Sequence, residues 1–243
     1  MKRRNGFRLT ARDAAIVRFA GRHYGVEARQ VADRFGMDLA NAHRRQARLV
    51  DAGLLEPRRV LHGRPGVYIA TRAGLDWVRV ALPAARISLA TYEHDVELVG
   101  LAIELEREFD EAAVLTEREL RSRDMPSAWA AYRSGAAVAP RYAVAVGSGT
   151  APRGLHFPDI VVKGGAAQGG LLAVELELTV KGAARRRQII GAYRDGFHIE
   201  QVRYYAAEEA LRALRRTIAE ERANDVAPVV DLRAWPLVPG SLR

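Results

Sequence analysis

The stretch that most constrains the fold of this chain runs from His156 to Lys181 and reads HFPDIVVKGGAAQGGLLAVELELTVK. Two segments rich in β-branched and aliphatic residues, Ile160 to Lys163 and Leu171 to Val180, flank a glycine-rich segment from Gly164 to Gly170. Strand-forming runs that are separated by a flexible turn predict a β-hairpin.

Alternation along the second strand of this hairpin separates an apolar face from a charged face, because successive side chains point to opposite sides of a sheet. Glu175, Glu177 and Lys181 share the charged face, and one register of the hairpin brings Asp159 beside the two glutamates. Crowded carboxylates repel one another unless a cation such as Mg²⁺ or Mn²⁺ lies between them. The alternative is a solvated sheet face, which antiparallel sheets often have.

The pair Pro158-Asp159, followed across the hairpin by Glu175 and by the position of Glu177, resembles the PD-(D/E)xK nuclease superfamily. The chain departs from the motif because Glu177 stands where the motif has a lysine. An intact Glu-x-Lys sequence would favour DNA cleavage directly, so this departure leaves both an active and an inactive nuclease-like domain open.

The resemblance also implies a set of site residues and a metal. A helix predicted from Glu93 to Glu108 opens a fold of this kind and often supplies an acid, for which Glu97 is the candidate. Lys181, or Lys163 on the neighbouring strand, would replace the missing lysine. The implied catalytic residues are Asp159, Glu175, Glu177 and Lys181, and the implied ligands of Mg²⁺ or Mn²⁺ are Asp159, Glu175 and Glu97.

Further segments resemble the replication-relaxation family of bacterial mobile-element proteins. They are His94-Asp95, LTERELR from Leu115 to Arg121, HFPD, VELELTVK, and VRYY from Val202 to Tyr205. The resemblance covers roughly Leu9 to Tyr205 and implies an N-terminal winged helix followed by a nuclease-like domain. The partners expected for such a protein are double-stranded DNA and, where the C-terminal domain serves dimerisation or docking, a second copy of the chain or plasmid-transfer or replication proteins.

Positive charge is concentrated in the first third of the chain. Residues 1–90 contain 18 Lys and Arg against 7 Asp and Glu, whereas the rest contains 20 against 22. A basic domain of this kind is typical of nucleic-acid binding. The absence of cysteine excludes disulfides, thiol catalysis and Cys-ligated zinc. No apolar run approaches the roughly 18 residues of a membrane span, which predicts a cytoplasmic protein.

Capping residues, glycines and apolar spacing predict a winged helix-turn-helix in this basic region. The predicted elements are helices at 10–23, 28–35 and 38–52, wing strands at Arg58–Leu61 and Val67–Ala70, and a closing helix at 71–80. Residues 1–8 form a basic arm that either follows a phosphate backbone or is a disordered tail.

Arginines on the third helix and the wing are the predicted DNA contacts, because arginine suits phosphates and guanine edges. The predicted residues are Asn41, Arg44, Arg45 and Arg48 at helical spacing, and Arg58, Arg59 and Arg64 on the wing. A solvated helix face is the alternative, but the absence of balancing acids and the adjacent wing favour DNA binding. Gln46 is unusual because such helices more often bury an aliphatic residue there.

The sequence therefore predicts an α+β protein with a winged helix-turn-helix at 1–80, a linker at 81–92 and an α/β nuclease-like domain at 93–243. Predicted elements of the second domain include strands at 114–120, 142–146, 202–206 and 229–232, helices at 183–194 and 208–222, and a turn at 147–150.

Two functions follow from these predictions. The first is a DNA-binding protein of a plasmid, phage or integrative element, acting in its replication, relaxation or transfer, with Mg²⁺-dependent phosphodiester cleavage. The second is a sequence-specific transcriptional regulator whose nuclease-like domain is inactive and serves dimerisation or partner docking.

Overall fold

The computed structural model describes residues 8–136, 140–146, 154–166, 168–196, 198–223 and 230–235. The chain divides into two compact units, Met1–Ile103 and Glu104–Arg243. The domain boundaries inferred from the sequence, with a linker at 81–92, remain predictions. The basic arm, apart from Arg8, and the turn predicted at 147–150 lie outside the described residues.

The N-terminal unit is a winged helix-turn-helix. Its elements are α1 (Ala11–Arg22), β1 (Val26–Glu27), α2 (Ala28–Phe35), α3 (Leu39–Asp51), β2 (Leu55–Arg58), β3 (Val67–Ala70), α4 (Arg72–Trp77) and the first part of α5 (Tyr92–Glu108). The strands form an antiparallel sheet in the order β1-β3-β2. Residues 80–88 carry neither helix nor strand.

Local chemistry sets the ends of these helices. Thr10 and Asp13 form a reciprocal capping box at the start of α1. Asp38 caps α3 by accepting a hydrogen bond from the Asn41 N–H at 2.7 Å. Gly36, with φ of 59°, ends α2 in the left-handed region that favours glycine. The signals that predicted these helices from the sequence are therefore the ones that the structure uses.

The first wing strand begins earlier than the sequence analysis predicted. β2 spans Leu55–Arg58, not Arg58–Leu61, and its register starts with Leu55 opposite Ala70. Leu55 is 2% exposed, so burial in the core places the strand there. α4 packs closely against the turn between α3 and β2. The approach is so close that a Cβ on Gly74 would lie 2.2 Å from the Leu54 carbonyl oxygen.

The C-terminal unit is built on a mixed sheet. Its elements are β4 (Val114–Thr116), α6 (Glu117–Ser134), β5 (Val144–Ala145), β6 (Leu155–His156), β7 (Ile160–Lys163), β8 (Leu171–Glu177), α7 (Ala183–Asp195), β9 (Ile199–Ala206), α8 (Glu208–Ala223) and β10 (Val230–Ala234). The five-stranded sheet has the order β10-β9-β8-β7-β4, and β5 and β6 form a separate pair. α7 and α8 link strands that run parallel.

The strand predicted at 114–120 is wrong beyond Thr116. Thr116 begins α6 through a capping box in which the Glu119 carboxylate accepts the Thr116 N–H at 2.9 Å. The predicted strand at 142–146 is likewise shorter, at Val144–Ala145. α7 and α8 match the predicted helices closely, whereas β9 begins at Ile199, three residues before the strand predicted at 202–206.

The predicted hairpin is present, but its second strand is buried on both faces. β8 ends at Glu177, not at Val180, and every residue from Leu172 to Glu177 is buried. It lies between β7 and β9, and Ala173 belongs to a core cluster that includes residues of α7 and α8. The solvated sheet face considered from the sequence is therefore wrong. Among the described residues, no helix has the length and hydropathy that crossing a membrane requires.

Candidate functional site

The first candidate site is the exposed side of α3. Ala42, Gln46 and Leu49 face the core of the N-terminal unit, where each is 0% exposed. The opposite side exposes Leu39, His43, Arg44, Ala47 and Arg48 to solvent. This division follows the helical period and leaves a mixed basic and apolar surface on the third helix.

The structure separates the predicted DNA-binding residues into two groups. Arg44, Arg48, Arg58 and Arg59 are exposed. Asn41 and Arg64 are half-buried, and Arg64 Nη2 lies 3.2 Å from Glu93 Oε1. Of these six predicted DNA contacts, only the four exposed arginines present accessible side chains.

Arg45 is directed inward and not along the predicted stripe. Its Nη1 lies 2.7 Å from Oδ1 of Asp13, whose side chain is 0% exposed. Burial alone would raise the Asp13 pKa, but hydrogen bonds from Thr10 and the Arg45 guanidinium outweigh it and hold that pKa below its usual value. Asp13 therefore carries a negative charge in the interior, and Arg45 balances it.

A cleft of about 830 Å³ lies between α3 and the wing. Residues of α2, α3, β2 and the β3 end line it, among them Arg29, Leu39, His43, Arg58, Arg59 and Tyr68. Sequence reasoning missed Leu39 and His43. A local signal for them was present, because they lie one helical turn apart at the start of α3, immediately after the Asp38 cap.

The position of the wing is set by contacts within the N-terminal unit. The Tyr92 hydroxyl donates to the Pro65 carbonyl oxygen at 3.3 Å, beside the Arg64–Glu93 ion pair. Gln30 Nε2 donates to the Val96 carbonyl oxygen at 2.7 Å. These bonds hold α5 against the wing tip and α2, so the wall of the cleft is fixed by tertiary structure.

The second candidate site is the acidic cluster, defined as Asp159, Glu175 and Glu177. The register pairs Ile160 with Val174, and one step further along the strands brings Asp159 level with Glu175. This is the register that the sequence analysis considered. Asp159 Oδ2 also accepts a hydrogen bond from the Leu176 N–H at 2.8 Å.

Glu175 is held by two donors. Its side chain is 1% exposed, His156 Nε2 lies 2.7 Å from its Oε1, and the buried Tyr193 hydroxyl donates to the same oxygen. Burial lowers the pKa of His156, but the charges of Glu175 and Asp159 outweigh burial and raise it. His156 and Tyr193 were not among the residues predicted from the sequence.

Glu177 is paired with Lys181. Lys181 Nζ lies 2.5 Å from Glu177 Oε1, and the Glu177 side chain is 7% exposed. Burial raises the pKa of Glu177 to about 7, although Lys181 opposes the shift. Burial lowers the Lys181 pKa, but the surrounding carboxylates outweigh it and raise that pKa. Of the two lysines considered as substitutes, Lys181 joins the cluster, whereas Lys163 is exposed at the opposite end of β7 from Asp159.

The carboxylates do not fit a divalent metal in this arrangement. Across the described parts of the chain, no group of three or more His, Asp or Glu side chains is placed to hold a metal ion. Glu175 and Glu177 are already bonded to protein donors. Glu97 is a half-buried residue of α5 in the N-terminal unit. The predicted Mg²⁺ or Mn²⁺ site stays a prediction.

No protein-family model and no curated protein matches the chain. Among solved structures, MarR is 20% identical over 52% of this chain and 75% of its own, with a TM-score of 0.28. A ZitR variant from Lactococcus lactis is 16% identical over 54% of this chain and 81% of its own, with a TM-score of 0.27. Another ZitR variant, solved in complex with DNA, is 14% identical over 54% and 81%, with a TM-score of 0.28. Similarities of this size carry no argument, so the winged-helix assignment rests on the order of helices and strands described above.

Proposed function

We propose that this protein binds double-stranded DNA through its N-terminal unit, with α3 in the major groove and the wing against the phosphate backbone. The observation that carries the proposal is the cleft shared by α3 and the wing, which Leu39 and His43 line on one side and Arg58 and Arg59 on the other. A winged helix uses these two elements to contact a duplex.

The charge of this surface supports a polyanionic ligand. Arg44 and Arg48 extend the basic surface along α3, and residues 1–90 hold 18 basic against 7 acidic residues. Phosphate contacts supply affinity, whereas base contacts supply sequence preference. We assign Arg44, Arg48, Arg58 and Arg59 to the phosphates, and Leu39 and His43 to the bases.

The DNA in this proposal belongs to a plasmid, phage or integrative element, and the protein acts in its replication, relaxation or transfer. The support is the resemblance of segments such as Leu115–Arg121 and Val202–Tyr205 to replication-relaxation proteins. A second copy of the chain and replication or transfer proteins are the partners proposed for this role.

The phosphate contacts are tested by removing two arginines from the full-length protein. Arg44→Ala with Arg48→Ala should weaken binding to a random-sequence duplex roughly tenfold and should lower the slope of log affinity against log salt by about two, since each phosphate contact contributes about 0.9. Salt-dependent fluorescence anisotropy measures both quantities. The matched control, Arg215→Ala with Arg216→Ala, removes the same charge from exposed positions on α8. Equal binding by the two double variants would overturn the proposal.

The base contacts are tested separately. Leu39→Ala and His43→Ala should change the sequences recovered by selection from a random duplex library, and the salt slope should stay close to that of the parent. An apolar side chain in this position contacts thymine methyl groups, and an imidazole can bond to a base edge. Identical selected sequences for the parent and both variants would show that these two residues do not read bases.

A second candidate function is a regulator that binds DNA and does not cleave it. The specific observation in its favour is that Glu177 stands at the lysine position of the motif and is bonded to Lys181. Incubation of supercoiled plasmid with the protein and Mg²⁺ or Mn²⁺ separates the two candidates. Nicked or linear product that Asp159→Ala and Glu175→Ala both abolish would establish cleavage, and unchanged supercoiled plasmid would favour the regulator.

A further inference from the structure

The acidic cluster lies inside the protein, where unbalanced negative charge is strongly unfavourable. Glu175 and Glu177 are 1% and 6% exposed, and Asp159 is half-buried beside them. Ionised carboxylates are buried only when they are paired with cations or bonded to donors. Burial already favours the neutral form of Glu177, and every carboxylate of the cluster that stays ionised needs positive charge from the fold or from a bound metal.

Lys181 supplies a positive charge directly. Its ammonium contacts Glu177 at 2.5 Å and interacts electrostatically with Glu175 and Asp159 as well. It reaches the cluster from the segment that follows β8, four residues beyond Glu177. A single ammonium thus contacts one carboxylate of the cluster and lies within electrostatic range of the other two.

The backbone at Lys181 is held in place by contacts with another part of the C-terminal unit, although its side chain is 38% exposed. The Arg186 guanidinium donates through Nη1 to the Lys181 carbonyl oxygen, and Arg186 Nε donates to Thr217 Oγ1 at 3.0 Å. Thr217 is 2% exposed on α8. The segment between β8 and α7 is therefore tethered to a buried residue of another helix, which fixes the backbone from which the Lys181 side chain extends.

From these contacts we infer that Lys181 is the resident cation of the acidic cluster. Its ammonium, paired with Glu177, supplies the balancing charge that the nuclease resemblance assigns to Mg²⁺ or Mn²⁺. A divalent ion placed there would face the charge of Lys181 and would have to displace it from Glu177. The C-terminal unit consequently folds without a divalent metal in the cluster and does not take one up. This inference is independent of DNA binding by the N-terminal unit.

The test is the thermal stability of the full-length protein with EDTA and with millimolar Mn²⁺. The parent should melt at the same temperature in both. Lys181→Met should melt several degrees lower with EDTA, and Mn²⁺ should restore part of that loss because the ion enters the vacated position. Lys181→Arg keeps the charge and should not respond to Mn²⁺. The matched control Lys163→Met removes an exposed lysine of β7 and should behave as the parent.

Two results would overturn the inference. One is a parent protein that Mn²⁺ stabilises, with the stabilisation abolished by Asp159→Ala, since the metal would then already occupy the cluster. The other is a Lys181→Met variant that loses stability without responding to Mn²⁺, since Lys181 would then be an ordinary ion-pair partner.

If Lys181→Met does not fold, the double variant Lys181→Met with Glu177→Gln provides the test, because it also removes the carboxylate charge that Lys181→Met leaves unpaired. The inference requires this double variant to fold, and an unfolded double variant counts against it.

DNA affinity distinguishes a failure of this inference from a failure of the proposed function. Lys181→Met should bind duplex DNA as the parent does at a temperature where both are folded. A loss of binding in Lys181→Met would contradict the independence of the two units' roles.

Discussion

The arginines of α3 and the carboxylates of β8 are both concentrated like charges, yet their environments are opposite. Arg44 and Arg48 are exposed on the surface of the N-terminal unit, whereas Glu175 and Glu177 are almost completely buried in the C-terminal unit. Exposed charges contribute little to folding and are available to an external ligand. Buried charges must be balanced inside the protein, as His156 and Lys181 balance the glutamates.

Arg45 belongs to the second kind of charge although it neighbours the first in sequence. Its side chain is 23% exposed, and it pairs with an aspartate that is 0% exposed. The comparison thus separates two adjacent arginines by their environment. Arg44 should determine affinity for DNA, and Arg45 should determine the stability of the N-terminal unit.

The largest expected effect is on Arg45→Ala. Removing one partner of a buried ion pair costs about 3 kcal/mol, because the remaining charge loses its compensation. Denaturant unfolding of Arg45→Ala, with Arg44→Ala as its neighbouring control, measures the difference in free energy of unfolding. Unchanged stability in Arg45→Ala together with weaker DNA binding would instead place Arg45 among the DNA contacts that its spacing predicted.

The same pair predicts how stability depends on pH. The Asp13 pKa is held below its ordinary value of 3.8, so its contribution to stability is fully present above 3.8 and is lost as the pH falls through the lowered pKa. Arg45→Ala should reduce this acid-dependent loss. An acid titration of both proteins that gives parallel curves would show that Arg45 does not stabilise the ionised carboxylate.

The sequence revealed elements whose signals are local. Thr10 and Asp38 correctly predicted the starts of α1 and α3, and the glycines between Lys163 and Leu171 correctly predicted the hairpin turn. It did not reveal that Arg45 points inward. Spacing along α3 shows only which residues share a face of the helix, whereas the Asp13 side chain is brought to Arg45 by the packing of α1. The Thr116–Glu119 capping box was readable and was missed, since the apolar pair Val114 and Leu115 before it favoured a strand.

The acidic cluster was predicted only as far as strand register allows. Asp159 and Glu175 lie level, as one register required. The burial of Glu175 and its contact with Tyr193 depend on α7 packing over the sheet, which alternation along a strand cannot indicate. Lys181 reaches Glu177 because β8 ends at that residue and the chain turns, whereas a continuous strand to Val180 would carry it away.

The next prediction concerns Asp159→Ala, which should lower the free energy of unfolding by about 2 kcal/mol, since it removes an acceptor of the buried Leu176 N–H. Asp159→Asn should lose less, because its amide oxygen can still accept this bond. Both are measured by melting in EDTA. If the cluster is instead an unbalanced metal site, removing one charge relieves repulsion and Asp159→Ala melts higher than the parent.

The smallest expected effect is a gain of stability at Gln46. This residue is 0% exposed on the core side of α3, and neither its Oε1 nor its Nε2 has a hydrogen-bond partner in the described structure. A buried amide without partners costs about 1–3 kcal/mol. Methionine has a similar length and no such requirement, so Gln46→Met should raise the free energy of unfolding by about 1 kcal/mol, part of the gain being lost to imperfect packing.

Gln46→Met should leave DNA affinity unchanged, because residue 46 faces away from the exposed arginines of the same helix. Gln46→Glu is the matched control, since it keeps the shape of the side chain and adds a buried charge that should destabilise the unit. A Gln46→Met protein that is less stable than the parent would show that the amide bonds to a group such as buried water. The uncharged polar group at Gln46 would then resemble the buried carboxylates in being satisfied inside the fold.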